Sequence, residues 1–477
     1  MKNLLFIVVI IFTANLTQAQ WEADVRLTND TAVSALSYTR NSSIAANGDS
    51  IHVVWADGRD GKGEIYYKRS TDGGINWSND TRLTNNDSSS SNPTIAISGS
   101  FVHVVWNDFR DGNYEIYYKR SSNGGANWSA DVRLTNDSLW AYCPGIAVSG
   151  ADVYVVWRVD YDSPNVEVFF KHSTDGGTSW GNETRITNDA AGSYNPSVSV
   201  SGTNVHIIWE DKRDGNSEIY YKRSTDGGMS WGTDTRLTNN ASLSNYPTST
   251  VSGSDLYVVW RDLRDGNWEI YFKHSADAGS TWGPDTRLTN ATGNLKLSTV
   301  AASASGVHIA WTDDRNGNKE IFYMYSLDEG QSWSNDTLLV NNNVTMSEGP
   351  SINLSGDAVH LIWKDKRDGP NGEIYYKRNP TGNFIGIKES DYVKNDINIY
   401  PNPTPDNITI SFSNTGLSKI SISIFNSLGI EIKRFKEMEL VGENAINFSV
   451  ESFPTGVYYC VLNYETKKIS RSFVVLR

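Results

Sequence analysis

Tryptophan sets a period in this chain. Trp55, Trp106, Trp157, Trp209, Trp260, Trp311 and Trp363 follow one another at intervals of 51 or 52 residues, each closing an apolar run such as Val53-Val54 or Ile207-Ile208. A second series, Trp77, Trp128, Trp180, Trp231, Trp282 and Trp333, keeps the same period 22 or 23 residues behind the first. A unit of this length, built of short strands, cannot bury its own apolar face. Its copies must stack, and a closed ring of sheets is the stable arrangement.

The copy from Ser91 to Thr135 shows the unit. Asn92-Pro93 opens a short strand, Thr94 to Ser98, that ends at Gly99, and Phe101 to Trp106 is a nearly continuous apolar run suited to burial on both faces. A polar loop, Asn107 to Asn113, leads to Glu115–Arg120, which alternates as a third strand; the turn Ser121 to Gly125 reverses the chain, and Trp128 to Thr135 reads as a fourth. Four such antiparallel strands make one propeller blade. Trp21-Glu22-Ala23-Asp24-Val25-Arg26-Leu27-Thr28 matches that fourth strand, whereas the last copy stops after its third at Arg378. The N-terminal segment is therefore expected to complete the last blade, closing the ring and removing its open edges. The expectation is an all-β chain with a seven-bladed propeller over residues 20–378.

Charged residues amount to 20% and aromatic residues to 12%, which supports a packed core rather than disorder. Residues 1–19, with Lys2, the apolar stretch Leu4 to Phe12 and a small residue at Ala19, read as a cleaved export signal too short to span a bilayer. No later stretch is apolar for long enough to form a transmembrane segment. A net charge of −13 without a Lys/Arg run argues against nucleic acid and anionic membrane surfaces as partners. The two cysteines, Cys143 and Cys460, do not make a disulfide framework.

The turns between third and fourth strands read Ser70-Thr-Asp72-Gly-Gly-Ile-Asn-Trp77, Ser173 to Trp180 around Asp175, and Ser224 to Trp231 around Asp226, with weaker versions around Asp277 and Asp328 and with Asn123 in place of Asp. This pattern resembles the Asp-box, or BNR repeat, of the sialidase superfamily. The local chemistry is structural: a carboxylate accepts backbone N–H groups, glycine permits positive φ, and tryptophan packs between sheets. The resemblance implies a sialidase-like propeller and, if it extends to activity, three arginines for a substrate carboxylate, a Tyr–Glu nucleophile and an Asp acid/base. The chain has no Arg-Ile-Pro motif and shows seven copies where sialidases usually have six blades.

A second loop also repeats: Asp57, Arg59, Asp60 and Glu64 recur as Asp108, Arg110, Asp111 and Glu115, and again from Asp211, Asp262, Asp313 and Asp365, while the copy around Asp160 lacks the arginine. Internal Arg–carboxylate pairing accounts for this pattern best. Calcium is a second option, and a ring of similar pockets in a multivalent lectin a third. His52, His103, His206, His308 and His360 all stand three places before a framework tryptophan, where Tyr154 and Tyr257 replace them, a substitution that speaks for packing.

A unique site in a regular array must come from positions that break the pattern. Fifteen places before each framework tryptophan stand Arg40, Ser91, Tyr142, Tyr194, Asn245, Lys296 and Glu348; one place after it stand Ala56, Asn107, Arg158, Glu210, Arg261, Thr312 and Lys364. Propeller geometry puts both rows at one mouth of the central channel. Candidate catalytic residues are Arg40, Arg158 and Arg261 as a clamp for an anionic sugar, Tyr142 or Tyr194 as stacking ring or nucleophile, and Glu210 or Glu348 as base.

After a polar linker, 379–396, the segment 397–477 changes character, with Tyr400-Pro401-Asn402-Pro403, alternating strands Ile408 to Phe412 and Ile420 to Phe425, and a late Gly456-Val457-Tyr458. This segment is expected to fold as a small β-sandwich, and it resembles the type A sorting domain of type IX secretion, which implies engagement with that machinery and delivery to the medium or the outer cell surface. The reading is a secreted monomer that binds extracellular glycans or glycoproteins, with an exo-α-sialidase or a protein-binding scaffold as alternatives. No cofactor is expected.

Overall fold

The computed structural model describes residues 21–37, 41–136, 138–161, 165–340, 345–383, 397–426, 430–436, 438–463 and 468–476. The export signal, most of the linker and Arg40 lie outside them. The chain forms two compact units, residues 1–383 and 384–477.

The first unit is a seven-bladed propeller. Blades 1 to 6 span residues 34–82, 90–133, 140–185, 193–236, 244–287 and 295–340, each an antiparallel sheet whose strands run in sequence order from the axis outward. In blade 2 these are Ser90–Ser98, Phe101–Asp108, Glu115–Ser121 and Val132–Arg133. The second strand is buried from Val102 to Asp108, as an apolar run between two neighbouring sheets requires. The innermost strand of each blade packs on that of the next, from Ile44–Asn47 of blade 1 round to Ser347–Ser355 of blade 7 and back.

Blade 7 takes its outer strand from the N-terminus. Val25 and Arg26 pair with Tyr376 and Tyr375, and Leu27 N–H donates to the Ile374 carbonyl at 2.8 Å. The Asp24 carboxylate accepts Arg367 at 2.8 Å and Lys377 at 2.9 Å, and Trp21 meets Tyr323 of blade 6 edge-on with centroids 5.0 Å apart. First and last segments thus close the ring without a covalent link, as their sequences foretell.

The fourth strands are shorter than the sequence suggests: in blade 2 only Val132–Arg133 belongs to the ladder, not the whole of Trp128 to Thr135. Trp128 turns away to pack edge-on against Tyr67 of blade 1, centroids 4.9 Å apart, and Ser129 N–H holds the Arg120 carbonyl at 2.8 Å. The second tryptophan series therefore joins adjacent blades. The same edge-on contact pairs Trp180 with Tyr118, Trp231 with Phe170, Trp282 with Tyr221, Trp333 with Phe272 and Trp77 with Tyr376.

Within the box turn, Asp72 Oδ1 accepts Asn76 N–H at 2.8 Å and the Ser70 hydroxyl at 2.7 Å, while Ser70 Oγ accepts Gly74 N–H at 2.9 Å. These donors hold the Asp72 carboxyl down at about 2. In blade 2 the Asn123 amide oxygen takes Asn127 N–H at 2.9 Å, so the turn needs an acceptor there and not a charge. The repeated histidines are buried partners of tyrosine, with Nδ1 2.6–2.8 Å from the hydroxyls of Tyr67, Tyr118, Tyr221, Tyr323 and Tyr376. In blades 3 and 5 the pair is rewritten: Tyr154 stacks on His172 and Tyr257 on His274, while Phe170 and Phe272 take the place of tyrosine.

In the second unit one long strand, Asn407–Asn426, serves two sheets. Its first half pairs with Ile397–Tyr400 and Met438–Ser449, and its second with Glu431–Arg434 and Gly456–Asn463, which in turn pairs with Lys468–Val475. Ile410, Phe412, Ile424, Cys460 and Phe473 fill the core. Neither Cys143 nor Cys460 forms a disulfide.

Candidate functional site

Six blades finish the loop between second and third strands in the same way. The framework tryptophan Nε1–H donates to an aspartate two places on, at 2.7–3.3 Å, for Asp57, Asp108, Asp211, Asp262, Asp313 and Asp365. An arginine two places further binds the same carboxylate at 2.5–2.7 Å and lies 4.2–4.5 Å over an aromatic ring of the third strand. Each arginine also reaches an aspartate before the fourth strand, as Arg110 reaches Asp131 at 2.8 Å. These carboxylates are spent on tying the blade together, which is the pairing expected of the motif. Among the described residues no cluster of three His, Cys, Asp or Glu is arranged to hold a metal ion.

Blade 3 departs from this scheme. Val159, buried, stands where the aspartate should be, and Ala141 faces it where most blades have serine. Two polar partners have been exchanged together for two apolar ones. Trp157 Nε1 is left buried without a hydrogen-bond partner. The hairpin runs one pair further, Trp140 opposite Asp160, and carries those side chains to the rim.

The two rows read from sequence meet in this region. The inner strands of blades 2 to 7 bulge where a residue adopts a left-handed backbone: Asn92, Cys143, Asn195, Tyr246 and Leu297 have φ of 51–56°, and Gly349 has 67°. Such values are uncommon outside glycine, and a bulge re-aims the side chains beside it. Beyond the bulge the rows are directly opposite in register: Ser91 and Asn107, Tyr142 and Arg158, Tyr194 and Glu210, Asn245 and Arg261, Lys296 and Thr312, Glu348 and Lys364.

Blades 3 to 5 join three of those pairs into one cluster. The Arg158 guanidinium lies between two rings, 5.5 Å from the centroid of Tyr142 and 5.6 Å from that of Tyr194. Its Nε is 3.2 Å from Asp160 Oδ1, an ion pair whose angles are not those of a hydrogen bond, so both atoms keep unused capacity. Burial pushes the Asp160 carboxyl up against the opposing pull of Arg158, and lifts the Tyr142 phenol to about 12. Lys212 Nζ also lies over the Tyr194 ring, 4.5 Å from its centroid. Glu210, buried, accepts Ser217 Oγ–H at 2.8 Å and Asn195 Nδ2–H at 3.0 Å. Arg261 donates to Asn245 Oδ1 at 2.6 Å between Tyr246 and Trp268, with centroids 4.4 and 4.2 Å away. Burial disfavours its charge, and Tyr246 and Glu210 favour it.

Asn41 of blade 1 spans the axis, donating to the carbonyls of Pro144 and Pro196, both at 3.1 Å. Gly145 leaves room for it: a Cβ there would stand 2.7 Å from Asn41 Oδ1. A channel cavity of about 280 Å³ is lined by alanine, serine, valine and isoleucine side chains, among them Ala45, Ile95, Val198 and Ser199.

A family model for BNR repeat-like domains matches residues 153–364, and one for secretion system C-terminal sorting domains matches residues 398–476. The chain carries a BNR propeller and a secretion sorting tail. That tail directs export by type IX secretion to the cell surface or the extracellular space. No curated protein matches the sequence. Among solved structures, the polysaccharide lyase Uly1 superposes with a TM-score of 0.54 at 11% identity, covering 76% of this chain and 99% of that one. The Hadza microbial sialidase Hz136 (TM-score 0.44, 13% identity, 69% and 74% covered) and the phage phi92 endosialidase (0.47, 11%, 95% and 87%) are also similar. At such identities the likeness is one of fold.

In this BNR propeller Tyr142, Arg158, Tyr194, Glu210 and Arg261 thus share one sector. Glu348 does not join them: on blade 7 it pairs with Lys319 at 2.5 Å, opposite Lys364. Sequence reasoning missed a third variable row, the residue just before the constant glutamate of the third strand. There Tyr114 touches Tyr142 with centroids 5.0 Å apart, Ser217 holds Glu210, Trp268 covers Arg261 and Lys319 pairs with Glu348. The signal was present in Trp268, which with Trp21 and Trp140 stands outside both periodic series.

Proposed function

We propose that the channel mouth at blades 3 to 5 binds an acidic extracellular glycan. The observation that carries this reading is Arg158, a cation held between two tyrosine rings with donor capacity left over and none of the pairing that occupies Arg59 and its five counterparts in the repeated loop. Cation–π contacts of about 0.5–2 kcal/mol each fix the guanidinium without consuming its N–H groups, which suits a carboxylate or sulfate. Arg261 and Lys212 add positive charge nearby, and the exposed tail-directed destination places the site among extracellular polymers. That structures of this fold include a polysaccharide lyase and sialidases agrees with the reading.

A second reading, glycoside hydrolysis of the sialidase type, is favoured by one observation: Tyr194 and Glu210 are register partners. Tyr194 would attack the anomeric carbon while its proton passes to Glu210 and the aglycone leaves with a proton from Asp160; water then releases the sugar. Burial holds the Tyr194 proton on, and Glu210 is already engaged by Asn195 and Ser217, so binding is the better supported of the two.

Titration of the purified secreted chain with glucuronate, sialyllactose and their neutral counterparts tests the first reading. Acid-dependent binding that drops ~10–100-fold in Arg158→Ala is expected, the worth of one or two charged hydrogen bonds. Equal binding of acidic and neutral sugars contradicts it. Release of a fluorogenic sialoside that vanishes in Tyr194→Phe would establish the hydrolase instead.

A further inference from the structure

Trp140 has no role in the framework, in the loop pairing or in the Arg158 sandwich. Seventeen places before the other framework tryptophans stand Ser89, Gly192, Leu243, Asn294 and Met346 in blades 2 and 4 to 7, and Tyr38, outside the described residues, in blade 1. The Trp140 side chain is 48% exposed, and among the described residues no other tryptophan is exposed to that degree. It is not a loose ring. It sits on the extra strand pair of blade 3, its centroid 5.8 Å from Tyr142 and 5.9 Å from Tyr114, whose ring is braced in turn by Phe109 at 4.9 Å. Asn107 Nδ2 donates to the Ala141 carbonyl at 2.9 Å and fixes the strand that bears it. Four aromatic rings from two blades therefore form one supported platform, and Tyr142 is shared between that platform and the Arg158 sandwich.

A lone exposed aromatic on a protein surface needs no explanation, but a braced one continuous with a cation pocket does. An indole face takes the C–H face of a pyranose ring, an uncharged surface, whereas Arg158 takes an anionic substituent. The two are separated by the single ring of Tyr142. We infer that the site holds two consecutive sugars of a longer chain, an acidic residue at Arg158 and an uncharged neighbour lying on Trp140. The inference rests on the acidic-glycan reading and narrows it to a polymer in which charged and uncharged sugars adjoin. The site is then one that grips a chain by an internal stretch as well as by an end.

Titration calorimetry of the full secreted chain with glucuronate and with hyaluronan di-, tetra- and hexasaccharides tests this, since hyaluronan alternates glucuronate with an uncharged amino sugar. Oligogalacturonates, charged on every ring, serve as the contrast. The tetrasaccharide is expected to bind ~10-fold or more tighter than glucuronate, and Trp140→Ala to remove that gain while leaving glucuronate within ~2-fold. Trp140→Phe restores part of it. The inference is overturned if chain length has no effect, if Trp140→Ala weakens glucuronate and tetrasaccharide alike, or if oligogalacturonates of equal length bind better. Loss of all acidic binding in Arg158→Ala without any dependence on length or on Trp140 would overturn this inference and leave the parent reading standing. Binding of every acidic probe unchanged in Arg158→Ala would overturn the parent reading itself.

Discussion

Tyr376 of blade 7 lies against Gly74 of blade 1 so closely that a Cβ at Gly74 would overlap its hydroxyl. The same ring meets Trp77 with centroids 4.9 Å apart, and Arg378 beside it donates to the Gly73 carbonyl at 2.7 Å. This is the seam at which the ring closes, and it repeats the contact of Tyr67 with Gly125 inside the array. Gly74 has φ of 92°, so an alanine there meets both backbone strain and the tyrosine ring. Gly74→Ala is expected to cost about 3 kcal/mol in a denaturant titration, and Tyr376→Phe combined with it to recover little, because the ring and not the hydroxyl alone is in the way. Unchanged stability in Gly74→Ala would contradict the seam.

The box aspartates predict an acid limb. Hydrogen bonds to the carboxylates hold Asp72, Asp226 and Asp277 at about 2, below the ordinary value of an unfolded aspartate. Depressed folded-state values mean stability that is complete above about pH 4 and lost as pH falls towards 2. Asp72→Asn, which copies Asn123 of blade 2, should flatten this limb and leave the melting temperature at pH 7 nearly unchanged. An equal fall in the variant would show that these turns do not set it.

The histidines act in a higher window. Burial holds His52, His103, His206 and His308 neutral, down at about 4, so the unfolded chain binds more protons between pH 6.5 and 4 and stability declines across that range as pH falls. Blade 5 carries the alternative set Tyr257, Phe272 and His274. Transplanting it as His206→Tyr, Tyr221→Phe and Arg223→His should fold and weaken the decline, whereas His206→Ala, leaving the Tyr221 hydroxyl without its partner, is expected to cost about 2 kcal/mol. A transplant less stable than the alanine variant would contradict the pairing.

Architecture was the legible part of this sequence, for a physical reason. Trp55 and its six counterparts, the box turns, and the match between Trp21-to-Thr28 and the other outer strands are repeated, and repetition separates what the fold requires from what one blade happens to carry. The site was legible as two rows of variable positions but not as a cluster. That Tyr194 faces Glu210, or Asn245 faces Arg261, depends on a bulge whose left-handed residue is Asn195 or Tyr246 there, types that do not announce it as Gly349 does in blade 7. Glu348 belonged to the same row and yet fell outside, because its strand is the inner strand of blade 7, where its partner is Lys319 of blade 6 and not a residue of blades 3 to 5. Blade 3 could be seen to lack an arginine, but the paired exchange to Ala141 and Val159 and the lengthened hairpin appear only once register is known.

Asp160 competes for Arg158 with any anionic ligand. Its removal as a charge in Asp160→Asn should raise affinity for an acidic sugar ~3–10-fold, as expected for one like charge withdrawn from a partly screened site. Affinity for a neutral sugar should not move. A loss of acidic-sugar binding in this variant would mean that Asp160 helps to hold the ligand.

The most direct test compares two arginines in one assay. Dissociation constants for an acidic oligosaccharide and melting temperatures should be measured for the wild type, Arg158→Ala and Arg315→Ala. Arg158→Ala is predicted to lose ~10-fold or more in affinity with little change in melting temperature, and Arg315→Ala, which strips a buried Asp313 of its partner at 2.5 Å, to lower the melting temperature and keep the affinity. If the two variants behave alike, blade 3 is one more structural blade and the site lies elsewhere.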